Sequence, residues 1–109
     1  ALSTEFRGLR YTSFFLADRA ATPAAIRFVQ DYRARFGAVP DHRAALSYDA
    51  AMLIGLAARE VGPDRRRIRD RIAEVGRGRP AYAGATGEIR FDETGDPVNK
   101  PVHIAEVAP

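Results

Sequence analysis

The sequence predicts an α/β chain of three helices with short strands, and three observations predict it. Between Thr22-Pro23 and Gly37, apolar residues recur every three or four positions, the spacing of one helical face. Residues 44–58 are apolar almost without interruption and are followed by the stop Gly62-Pro63. Residues 9–16, with Tyr11, Thr12, Phe14 and Phe15, and residues 88–92, which alternate apolar with polar, suit extended strands.

Each element carries its own punctuation. Thr22 is placed to accept a backbone N–H at the start of the first helix, and Pro23 takes the first helical position, where its missing donor costs nothing. Ala25, Phe28, Val29, Tyr32 and Phe36 form the apolar face, with Asp31 and Arg35 an i,i+4 pair on the wet side. Gly37 ends the helix as a left-handed cap and Pro40 prevents its resumption. In the second helix, 44–58, only Ser47 and Asp49 are strongly polar, so it needs burial on most sides. Asp64 caps a third helix, with Ile68, Ile72 and Val75 as a narrow stripe. Residues 76–80 form a loop, 94–97 a turn, and 101–107 a final strand.

Composition narrows the function classes. A chain of 109 residues is one domain or less. At 46% hydrophobic and 28% charged, it has the composition of a folding chain. It has no cysteine, so disulfides and cysteine-held metals are excluded. No apolar run reaches the roughly 18 residues of a membrane span. The opening Ala1-Leu2-Ser3-Thr4-Glu5 has no signal-peptide layout, which is silent on location because a secreted protein loses its signal. The net charge is +3, and Lys100 is the only lysine beside 16 arginines. The basic run Arg65-Arg66-Arg67-Ile68-Arg69 shares its helix with Asp64, Asp70 and Glu74 and has no aromatic residues to stack bases. It reads as a solvated face, not a nucleic-acid interface.

Catalytic and metal readings fare no better. His42 and His103, the only histidines, are 61 positions apart, with no carboxylates at metal-clip spacing. Ser47 lacks the glycines of a nucleophile elbow, and residues 84–87 lack the lysine and following helix of a phosphate loop. No enzyme activity, cofactor or metal is expected.

Gly8-Leu9 with Tyr11-Thr12, then Phe28-Val29-Gln30-Asp31-Tyr32 ending in Phe36-Gly37 and Pro40, then Tyr48-Asp49-Ala50 opening a helix, come in one order. Asp64 with Ile68-Arg69-Asp70, then Gly84, Thr86-Gly87, Ile89, Phe91-Asp92 and Gly95-Asp96 complete it. Over roughly residues 8–107 this resembles the C-terminal portion of type I periplasmic binding proteins, the family of branched-chain amino acid carriers. The resemblance implies a fragment of a two-lobe fold, residues 1–109 being its C-terminal part, with an interlobe crossing near 37–44. It implies the strand and first helix in one lobe, and the Tyr48-Asp49-Ala50 helix and Thr86-Gly87 hairpin in the other. The apolar second helix would be covered by the missing N-terminal part of the protein or by a second copy.

The function implied is non-catalytic capture of a small solute by lobe closure, serving the membrane permease of an ABC transporter in a periplasmic or other extracytoplasmic setting, lipid-anchored or free. A ligand-sensing domain of a regulator or receptor with the same fold is the alternative, and a self-contained basic interaction module a third. In amino-acid-binding members an acid just before the Gly-Leu pair takes the ligand's ammonium; here that position is Arg7. A guanidinium fork suits a carboxylate and repels an ammonium, which favours an organic acid. Glu5, two residues earlier, takes the acidic role if the register shifts, with Phe6 between them. Arg7, Glu5 and Phe6 are therefore the expected ligand-binding residues.

Overall fold

A computed structural model of the chain describes residues 4–108. The elements are β1 (Arg10–Ser13), α1 (Pro23–Phe36), α2 (His42–Val61), α3 (Arg65–Ala73), β2 (Tyr82–Gly84), β3 (Gly87–Ile89) and β4 (His103–Glu106), with 3-10 turns at Thr4–Phe6 and Ala17–Arg19.

The caps of α1 are those the sequence indicates. Thr22 Oγ1 accepts from the Ala25 N–H at 3.2 Å. Gly37 closes the helix at φ 64°, a left-handed conformation that a Cβ disfavours, and donates to the Arg33 carbonyl at 2.9 Å. Ala25, Phe28 and Val29 are buried, whereas Phe36 is 61% exposed, so the apolar face stops a turn early. Asp31 pairs with Arg27 at 3.7 Å and not with Arg35, whose guanidinium lies over the Phe36 ring.

Helix α2 is longer than expected at both ends. Asp41 Oδ1 accepts from the Ala44 N–H at 2.9 Å, which starts the helix at His42. The far end extends through Glu60, whose carboxylate takes Arg71 of α3 at 2.5 and 3.3 Å. Its buried residues are Ala45, Asp49, Leu53 and Ala57, a stripe with a four-residue repeat. Tyr48, Met52, Ile54 and Leu56 remain 40–52% exposed, so the burial expected on most sides is not supplied by the described residues. In α3, Asp64 Oδ1 accepts from the Arg67 N–H at 2.9 Å as read, Ile68 and Ile72 are partly buried, and Val75 just beyond is buried.

The strands form two separate antiparallel pairs among the described residues. β1 pairs with β4, Arg10 opposite Glu106 and Ser13 opposite His103. β2 pairs with β3, Tyr82 opposite Ile89 and Gly84 opposite Gly87. All the expected strands prove shorter. β1 is four residues of the expected 9–16; β3 ends at Ile89, after which Phe91 makes only an isolated bridge to Pro97. β4 begins after Pro101, which has no N–H for the ladder.

Two small cores hold these parts. Phe15, Ala25, Phe28, Val29, Ala45 and Ala85 form one, with Phe28 edge-on to Phe15 at 5.7 Å and 4.8 Å from the Tyr48 ring. Leu53, Val75 and Ile89 form the other, beneath the α2–α3 pair. The Cα radius of gyration is 16.1 Å with extents of 50 × 31 × 22 Å, against about 13 Å for a compact domain of this length.

Candidate functional site

The four-residue repeat that buries Ala45 and Leu53 carries Asp49 to the same face, where it is 2% exposed. A carboxylate there needs donors, and the β2–β3 turn supplies them. The Ala85 N–H donates to Oδ1 at 2.8 Å, and the Thr86 N–H and hydroxyl donate to Oδ2 at 2.9 and 2.6 Å. Gly84 makes the approach feasible: a Cβ there would lie 2.6 Å from Oδ2.

Lys100 completes the cluster from the segment that leads into β4. Its ammonium donates to the Thr86 carbonyl at 3.1 Å and contacts the Thr86 hydroxyl. Burial lowers the Lys100 pKa, and the Asp49 charge works in the opposite direction. Burial, then the Asp49 and Tyr48 charges, raise that of Tyr82 on β2. Among the described residues every buried side-chain nitrogen or oxygen has a partner. Asp49 accepts from three donors, and the cluster fastens helix to turn. The described residues contain no group of three or more metal-ligating side chains placed to hold an ion.

Two open clefts flank the cluster. An apolar one of about 240 Å³ is lined by Phe14, Leu46, Leu53, Ile89, Phe91 and Lys100. The other, about 170 Å³, is lined by Phe14, Phe15, Leu16, Thr86, Pro101 and His103.

The residues expected to bind ligand stand elsewhere. Glu5 and Phe6 belong to the 3-10 turn Thr4–Phe6, Arg7 follows it, and all three are exposed. They sit at the start of the β1–β4 ribbon, where the Gly8 N–H donates to the Val107 carbonyl at 3.1 Å, and line neither cleft. Asp49 was legible as a buried polar residue on an apolar helix. Lys100 was not read as part of any site; its only signal was being the sole lysine among arginines.

The comparisons with known proteins fall on one side. The solved leucine-binding protein LivK of Thermotoga maritima superposes with a TM-score of 0.83 at 32% identity, over 96% of this chain and 29% of LivK. The branched-chain amino acid transporter substrate-binding protein LivJ of Streptococcus pneumoniae, solved with isoleucine, gives 0.80 at 26%, over 91% and 27%. A solute-binding protein of R. palustris, solved with benzoate, shares the fold at 0.78 and 20% identity, over 94% and 28%. No curated protein matches. The chain thus spans less than a third of the length of these relatives, which accounts for its open shape and uncovered helix as part of a larger type I fold. The sequence model of the family matches residues 1–109 from end to end, and the chain belongs to the periplasmic binding proteins.

Proposed function

We propose that this chain is the C-terminal part of a solute-binding component of an ABC uptake system, which captures a small organic acid or amino acid by lobe closure and delivers it to a membrane permease. The observation that carries this is the family match along the whole chain, joined to substrate-binding relatives of the same fold. The division of the chain supports it. The β1–β4 ribbon forms one part and α2, α3 and the β2–β3 hairpin another, with α1 packed on the second through Phe28 beside Ala45 and Ala85, and segment 98–102 leads from the hairpin to β4. In this reading the interlobe crossing lies near 37–44, and the solute lies between the lobes once the rest of the protein is present. The setting is extracytoplasmic and the role non-catalytic.

Arg7 is the ligand-selecting residue in this reading. It is exposed here, as a cleft residue is when the opposite wall is absent. Titration calorimetry of the complete protein with leucine, isoleucine and benzoate tests it. The reading expects benzoate to bind more tightly than the two amino acids, and Arg7→Glu to weaken benzoate about ten- to a hundredfold, the worth of a charge-assisted bidentate contact. Tight leucine binding that the substitution leaves unaltered would return Arg7 to the surface and remove the organic-acid preference.

A further inference from the structure

The segment 98–102 is held in an unusual way for a connection between a hairpin and a strand. The Val98 N–H donates to the Arg90 carbonyl at 3.0 Å, Asn99 takes the left-handed conformation at φ 53°, and Lys100 turns inward onto Thr86. The Pro101 ring then lies so close to Gly87 that a Cβ there would come within 3.2 Å of it. Immediately afterwards the chain enters β4, whose strand partner among the described residues is β1. The anchors therefore all fall on the β2–β3 side, and the strand they lead to falls on the other.

We propose that Lys100 is a positioning residue, a clasp that pins segment 98–102 to the Asp49–Thr86 cluster and thereby sets the resting angle between the α2–hairpin part and the β1–β4 ribbon. The inference rests on the solute-capture reading for its consequence, since that angle fixes how far the lobes must move to close. The chemistry calls for lysine in particular. The carbonyl and the hydroxyl of a single residue, Thr86, converge on one point, which a compact ammonium meets with two of its donors. A planar guanidinium spreads its donors over a wider fork and cannot meet both without displacing the segment. In a chain with 16 arginines, the one lysine is the residue that meets Thr86. Its charge also reaches Asp49 through Thr86, whose hydroxyl donates onward to the carboxylate. Loss of the clasp frees the segment and leaves the carboxylate its three donors.

Paired spin labels at Arg10 on β1 and Arg66 on α3, both exposed, read the angle directly in the complete protein without solute. The clasp predicts one narrow distance distribution for the otherwise unaltered protein and for Thr86→Ser, which keeps the hydroxyl. It predicts a distribution about twofold wider in Lys100→Met and in Lys100→Arg, as the minor orientations gain population. Hydrogen exchange of the Ala85 and Thr86 amides stays slow in both, because Asp49 still holds them. Should Lys100→Met not fold, Lys100→Arg alone gives the reading. Unchanged distributions in the Lys100 variants would overturn the clasp, as would widening accompanied by fast exchange at Ala85 and Thr86, which would make Lys100 an ordinary part of the core. Failure of leucine, isoleucine and benzoate all to bind would count against solute capture alone, since the distances are measured without solute.

Discussion

The Asp49 carboxylate shows how one residue ties distant stretches of sequence together. It lies 36 and 37 positions from the two residues that donate to it. Removing it leaves the Ala85 and Thr86 N–H groups buried without acceptors, and Lys100 without its counter-charge. Asp49→Ala in the complete protein is therefore expected to lower stability by about 2–4 kcal/mol, read from denaturant unfolding. An unchanged midpoint with solute binding lost would make Asp49 a ligand group. Its burial and hydrogen bonding follow from sequence, because a lone carboxylate on an apolar helix must be partnered. The identity of the partners does not, because the β2–β3 turn reaches it only through tertiary packing. Lys100 was illegible for the same reason: the position of a single flexible side chain depends on where the hairpin folds back.

Among the elements, helix ends were easier to read than strand ends. Thr22, Gly37 and Asp64 act within three or four residues of themselves, so their roles are local and the structure matches them. Asp41 follows the same rule, and α2 begins at His42 and not at Ala44. Strand ends depend on a partner: Phe91 has strand character, yet opposite it stands Pro97, and the ladder lapses into one bridge. The turn that follows is organised by Asp92, whose Oδ1 accepts from the Thr94 and Asp96 N–H groups at 2.9 and 3.0 Å and from the Thr94 hydroxyl at 2.7 Å. The Thr94 hydroxyl foremost, then the Asp96 N–H, hold its pKa below the ordinary 3.8. With the folded value depressed, the contribution is present above pH 3.8 and is lost as pH falls through the lower folded value. The Thr94 and Asp96 amide resonances should therefore shift together with a midpoint below pH 3.8, and a midpoint at or above it would contradict the capping role.

For the whole molecule, the near-total apolarity of residues 44–58 within α2 carries the argument. A helix apolar all round has to be covered, yet here Tyr48, Met52, Ile54 and Leu56 face outward, and among the described residues each sheet has two strands. Two-stranded sheets are marginal alone, and exposed apolar faces associate. Residues 1–109 in isolation are thus expected to sediment at micromolar concentration as associated species or as an expanded, dye-binding state. A compact monomer with a sharp thermal transition would remove the need for a covering lobe. The need for more protein is legible from the helix alone, whereas the division into lobes is implied only by the resemblance. Small-angle scattering of the complete protein, with and without saturating leucine, isoleucine or benzoate, tests the central claim most directly. Capture by lobe closure predicts that at least one of these solutes contracts the protein, and a radius of gyration unchanged by all three would contradict it.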